Sequence, residues 1–332
     1  MLIGIDLGTT ALKVAAFDPK TGKMLHGVEK RLPLGLDSDG WREQSPAAVV
    51  RALRSAIGQL GKTLGGLKKV TGMALAAQGG STIIADRETG DAHAPMILWN
   101  DARAFSQFQE LAASKPARYW RTRTLRDEPG MGLARIAWLR EHAPELLDDC
   151  NLYVGAGEYV YHHLTGLWRQ DACNAMQIGC YDARTQSLSK ELAALADIST
   201  GFVAPLRQGH EFHPLSSAGA KLFGLPEGIP VAGPYMDHEA GFLAASHVSE
   251  RPLQCSLGTA WVGNFCLPEG IQGAAPFQFA IPSPKGSEPL IIMPLLTGNV
   301  TWDWALSTLV DGNTEEALKK QQVVFKSAVL PP

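Results

Sequence analysis

Leu2-Ile-Gly-Ile-Asp6-Leu-Gly8-Thr9-Thr10-Ala-Leu-Lys13-Val-Ala-Ala-Phe17-Asp18 opens the chain, and its pattern is repeated far downstream in Leu253-Gln-Cys-Ser-Leu257-Gly258-Thr259-Ala260-Trp-Val-Gly-Asn-Phe265-Cys-Leu267. Each copy is an apolar strand, a Leu-Gly-Thr turn and a second apolar strand. A tight hairpin of this kind turns backbone N–H groups and a Thr hydroxyl outward, where an anion can sit. One Gly-Thr turn between apolar runs is common and means little. Asp6 alters that reading, because a carboxylate inside Ile3-Gly-Ile-Asp-Leu is costly to bury unless a cation meets it. Two such hairpins, each opening its own part of the chain, imply a duplicated domain with a phosphate chain held between the copies.

Composition narrows the function classes. The chain has 332 residues, 45% apolar and 19% charged, with a net charge of −3. That balance suits two soluble domains with a sizeable core. Lys and Arg are scattered, so neither nucleic acid nor a membrane surface is an expected partner. No apolar run reaches membrane-spanning length and Met1 leads directly into a core strand, so a cytoplasmic location is expected. The five cysteines are odd in number and form no close C-x-x-C pair, which favours reduced thiols over disulfides or zinc.

Working outward from the first hairpin, strands are expected over 2–6, 12–18 and 23–31, then a helix over 47–64 started by Ser45-Pro46. Strands 70–77 and 82–85 follow, then helices near 133–142, 158–164, 190–196 and 216–223. After the second hairpin come strands near 278–281 and 290–293 and helical runs over 302–309 and 313–319. The order β-β-β-α-β fits a mixed sheet backed by helices.

Further motifs carry a resemblance. They are Trp41-x-Glu43-Gln44-x-Pro46, Trp99-Asn100-Asp101-x-Arg103, Trp138-Leu139-x-x-His142-x-Pro144-Glu145, Leu164-Thr165-Gly166 with Asp171, Asp237-His238, Ser256-Leu257-Gly258-Thr259 and Thr297-Gly298-x-x-x-Trp302. In this order, together with the first hairpin, the chain resembles the FGGY carbohydrate kinases of the actin/hexokinase/Hsp70 superfamily, with xylulokinase-like members nearest in Leu98-Trp-Asn-Asp-x-Arg103 and Pro129-Gly130. The resemblance implies an α/β fold of actin-like ATPase (ribonuclease H-like) duplicated domains, mixed sheets with flanking helices. It divides the chain into an N-terminal domain, 1–245, and the start of a C-terminal domain, 246–332. The family's adenosine motif has no counterpart here, so the second domain is expected to be incomplete and the chain a fragment.

The activity implied is transfer of the ATP γ-phosphoryl group to a hydroxyl of a sugar or polyol, a ketopentose such as xylulose leading, with ATP and Mg²⁺ as cofactors. A homodimer is left open. The alternative is a non-catalytic sugar- or nucleotide-sensing protein on the same scaffold. Asp237 matches the catalytic aspartate, and it also reads as the start of a helix, where a carboxylate is pinned and ionised. By the same resemblance Asp6 would be the Mg²⁺-side carboxylate, acting through water. Gly8, Thr9 and Thr10 would hold phosphate oxygens from one side and Gly258 and Thr259 from the other. Lys13 either assists as a cation or is a solvated side chain.

The substrate side is carried by Gln78, Gly79, Gly80, Trp99, Asp101, Arg103 and His238. Trp99 either stacks on sugar carbons or is a core aromatic, and Asp101 and Arg103 either touch substrate or form an ion pair that fixes their loop. Gln78-Gly79-Gly80 stands where glycerol kinases carry Gln-Arg-Glu and xylulokinases Gln-Met-His. The glycines imply room for a bulkier acceptor, or backbone contacts only.

Overall fold

The structure, a computed structural model, describes residues 1–36, 40–257, 261–267, 278–284, 288–295 and 298–309. The opening hairpin forms as the sequence predicts: Leu2–Leu7 and Ala11–Phe17 pair antiparallel, with Leu7 opposite Leu12 and Asp6 opposite Lys13. Gly8 N–H donates to the Ala11 carbonyl at 3.0 Å and closes the turn. Met24–Arg31 adds a third antiparallel strand. The helix Pro46–Thr63 then begins at Ser45, whose Oγ accepts the Ala48 amide at 3.3 Å, with proline at the first position where no N–H is needed. Its Val49, Leu53, Ile57 and Leu60 are buried at helical spacing.

On the other side of Leu2–Leu7, the strands Gly72–Ala77 and Pro230–Met236 join in parallel, and Phe212–Pro214 closes the edge of a six-stranded mixed sheet. Strand alternation sorts the faces. Ile3, Ile5, Leu7, Leu12, Val14 and Ala16 are buried in the core cluster they share with helices Pro46–Thr63 and Ala156–Thr165. Gly4, Asp6, Lys13, Ala15, Ala76 and Tyr235 line a pocket on the opposite face.

The strand Pro230–Met236, which leads into Asp237, is not among those the sequence predicts, and it carries two prolines, Pro230 and Pro234, that a central strand ordinarily excludes. A bulge absorbs the difficulty: Ala232 pairs with Ala74 but Tyr235 with Ala76, three residues against two. The extra residue includes Gly233 at φ +113°, where a Cβ would lie 2.6 Å from the Leu75 carbonyl. Helices Phe105–Ala113, Ala117–Thr124 and Ala172–Ile178 also went unread. They are short, and packing rather than intrinsic propensity makes them.

The second hairpin pairs Gln254–Leu257 with Trp261–Cys266 in a separate four-stranded antiparallel sheet with Leu290–Leu295 and Phe279–Ile281, followed by the helix Gly298–Leu309. Its turn residues Gly258 and Thr259, and the helical run over 313–319, lie outside the described residues. Val262, Ile281, Leu290 and Ile292 pack in one cluster with Cys173, Met236 and Phe242 of the preceding part. No helix among the described residues is long and apolar enough to cross a membrane.

Candidate active site

Three parallel strands end together. Leu7 pairs with Ala77, and Ala77 with Met236, so Asp6, Gln78 and Asp237 emerge at one edge of the sheet from segments distant in sequence. The carboxyl ends of parallel strands are where α/β proteins place ligands. Asp6 keeps 51% of its side chain exposed, with Lys13 Nζ at 3.9 Å from Oδ2. Desolvation by the protein around it raises its pKa; Lys13 opposes that, and the Asp237 carboxylate adds to it. The two carboxylates therefore sense each other across the strand ends.

Asp237 begins the helix Asp237–Ala245. Its Oδ1 accepts the His238 amide at 2.9 Å and lies 4.0 Å from His238 Nε2. With 39% of its side chain exposed, Asp237 has access to a ligand.

A hydrogen-bond chain links the Gly8–Thr10 turn to Gln78 and Trp99. Thr9 Oγ1 donates to Gln78 Oε1 at 2.9 Å and accepts from Trp99 Nε1 at 3.0 Å, while Gln44 Nε2 donates to the Thr9 carbonyl at 2.6 Å. Thr9 thus has its hydroxyl committed inside the protein, and Thr10 is the exposed threonine of the turn. Trp99 is 41% exposed, a platform rather than a core aromatic, and Gln78 is buried with no partner on Nε2 among the described residues. A buried donor left unmatched is costly unless a ligand or water meets it.

Asp101 and Arg103 satisfy each other. Asp101 accepts from Arg103 Nε at 2.8 Å, Arg103 Nη2 at 2.9 Å, and the amides of Arg42 at 2.5 Å and Arg103 at 3.0 Å. Arg103 also bonds Glu43 at 2.7 Å and stacks over Trp41 at 4.1 Å. Of the two roles weighed for them, this geometry is the loop-fixing ion pair.

Gly79 and Gly80 do not leave the space that the sequence implies. A Cβ at Gly79 would lie 2.8 Å from Met236 Cε, so the thioether fills that volume. Gly80, at φ +71°, is there for its backbone, and a Cβ would sit 3.4 Å from Trp99 Cβ. Gly79→Ala is expected to cost about 1 kcal/mol, the low end for overpacking because methionine is adaptable. Met236→Ala in the same protein should recover it, and urea unfolding of the two single variants and the double variant measures that coupling. Strictly additive effects would show that the two side chains do not compete.

Sequence reading missed Arg135. It is fully buried in the helix Met131–His142. Its guanidinium donates to the Gly80 carbonyl, to Thr82 Oγ1 at 3.1 Å, and to the carbonyls of Leu98 at 2.6 Å and Trp99 at 3.0 Å. It ties the Gly80 turn to the Trp99 loop, bonded to no carboxylate among the described residues, and burial lowers its pKa. The available signal was an arginine on the apolar side of Leu133-Ala-Arg-Ile136.

Known proteins bear on this arrangement. The profile of the FGGY family of carbohydrate kinases, N-terminal domain, matches residues 1–244. The chain belongs to the FGGY family of carbohydrate kinases. Among FGGY relatives, a xylulose kinase of Escherichia coli K12 is 26% identical over 332 residues, covering 99% of this chain and 67% of its own. An erythritol kinase of Brucella abortus is 31% identical over 252 residues, covering 71% of this chain and 46% of its own. The chain spans about half the length of other curated relatives it matches, 52% for a Staphylococcus epidermidis xylulose kinase. A xylulose kinase from Rhodospirillum rubrum has the same fold, with a TM-score of 0.84 at 22% identity, over 96% of this chain and 65% of that one. A Plasmodium falciparum glycerol kinase solved with ADP superposes with a TM-score of 0.81 at 18% identity, over 95% of this chain and 65% of that one. These neighbours share the actin-like mixed sheet with flanking helices.

Proposed function

We propose that the complete protein transfers the γ-phosphoryl group of ATP to a hydroxyl of a sugar or polyol, with a ketopentose such as xylulose as the leading acceptor. The observation that carries this reading is the pairing of Asp6 and Asp237 at the shared edge of three parallel strands, beside the exposed Trp99 and the unmatched Gln78 amide. Xylulose, erythritol and glycerol kinases among the relatives and neighbours support the acceptor class.

In this reading Asp237 accepts the proton of the acceptor hydroxyl. The hydroxyl oxygen forms a bond to the γ-phosphorus while the bond from that phosphorus to the β,γ-bridging oxygen breaks, and ADP leaves. His238 and Gln78 Nε2 orient acceptor hydroxyls, and the Trp99 indole covers sugar carbons. Gly8, Thr10 and Lys13 meet phosphate oxygens from one side, with Gly258 and Thr259 from the other. Asp6 suits Mg²⁺: it is a half-exposed oxygen donor whose charge is disfavoured by burial and by Asp237, a combination a hydrated cation relieves. Bound there, Mg²⁺ would neutralise phosphate charge.

The reading keeps two domains, 1–245 and 246–332, with the phosphate turns between them. A cytoplasmic location belongs to the proposal as well, supported by the free thiols of Cys150, Cys173, Cys180 and Cys255.

The test is ADP release by the complete natural protein with ATP, Mg²⁺ and a panel of pentoses, ketoses and polyols. Acceptor-dependent ADP release with one chemical class is the expected result. Tight sugar binding with no turnover on any acceptor would replace the enzyme with a sensor.

A further inference from the structure

Behind Asp237 lies a buried charged cluster that none of the roles above uses. Asp171 caps the helix Ala172–Ile178, its Oδ1 accepting the Asn174 amide at 2.7 Å. Its Oδ2 accepts the amide of Met236, the residue before Asp237, at 2.8 Å. Two residues beyond Asp237, Glu239 pairs with Arg207 at 2.9 Å, their side chains only 5% and 4% exposed. Ligand atoms of Asp171, Glu239 and Cys173 lie within 4.8 Å of one another. That spacing would suit a metal, but Arg207 already supplies the cation, interacting with both carboxylates.

Such a cluster is expensive to bury and a poor source of stability. Its placement suggests another use. Among the described residues, no side chain of another element bonds the Asp237 carboxylate, so its direction depends on the backbone of the Met236–Asp237 turn. Asp171 holds that turn from one side and the Arg207–Glu239 pair holds the helix from the other. The same short helix also grips the substrate side, because Asn174 Oδ1 accepts the Gly80 amide at 3.0 Å.

We propose that Asp171, with Arg207 and Glu239, is a positioning group that fixes the Asp237 carboxylate relative to the Gln78–Gly80 turn without touching substrate. This rests on the reading of Asp237 as the base. The charged and titratable groups facing the cluster are Arg207, Cys173, Tyr235 and Glu158. Burial first, then Asp171, pushes Glu239 up to about 8. Below that value Glu239 is neutral, and above it Glu239 adds a negative charge two residues from Asp237.

Two variants test this in the complete natural protein, each leaving Arg207 one carboxylate. Asp171→Asn cannot accept both amides. It should lower kcat roughly 10–100-fold, the scale of a misplaced catalytic group, with sugar and ATP KM near wild type. Hydrogen exchange at the Met236 amide should accelerate. Wild type should lose kcat as pH rises through about 8, and Glu239→Gln should not. Asp237→Asn is assayed alongside. If it is inactive while folded Asp171→Asn keeps kcat within about twofold of wild type, the positioning role is overturned and the base stands. Wild-type turnover in Asp237→Asn removes the base, and the positioning role with it.

Discussion

Asp237→Asn in the complete natural protein should lower kcat by about 10²–10⁴-fold, the usual worth of a positioned general base. Asparagine keeps the volume, and its Oδ1 can still accept the His238 amide that Asp237 accepts at 2.9 Å. What it loses is the ability to take the hydroxyl proton. Sugar and ATP KM should stay near wild type, because the change removes an interaction specific to the transition state. Initial rates of ADP release with saturating acceptor decide the point. A kcat close to wild type would mean that another group takes the proton and that Asp237 only starts its helix.

Arg135→Met should destabilise the fold by about 3 kcal/mol or more. The guanidinium serves three backbone carbonyls and the Thr82 hydroxyl in a fully buried site. Removing it leaves acceptors unmet at about 1–3 kcal/mol each, offset in part by the charge no longer buried. Arg135→Lys should recover only a fraction, because an ammonium offers its donors from one point and cannot span both the Gly80 turn and the Trp99 loop. Urea unfolding at constant m-value reads the stability loss. Fluorescence of the exposed Trp99 reports on whether its loop has been released. A loss under about 0.5 kcal/mol, ordinary for a surface change, would show that the loops hold themselves.

The strand and turn pattern around Asp6 was legible because it is local. Alternating apolar residues and a Leu-Gly-Thr turn specify a hairpin with no help from the rest of the chain, and the observed register keeps Asp6 opposite Lys13. The Ser45-Pro46 helix start and the Val49, Leu53, Ile57, Leu60 stripe were equally local. The order of motifs along the chain was enough to name the family.

Other features depend on residues far apart in sequence. The alignment of Asp6, Gln78 and Asp237 arises only when Gly72–Ala77 lies between two parallel partners, one of them admitted by a bulge that accommodates Pro234. Met236 filling the space beside Gly79, Arg135 spanning two loops, and Asp171 reaching the Met236 amide are likewise contacts between segments remote in the chain. Hydrophobic periodicity records which face of an element is buried, but not which remote side chain will occupy a gap. The sequence by itself determined the hairpins, the main helices and the family. The tertiary packing decided which polar groups of the site are already matched inside the protein and which remain for a ligand, because a buried hydrogen-bonding group is satisfied or left open only by what folds against it.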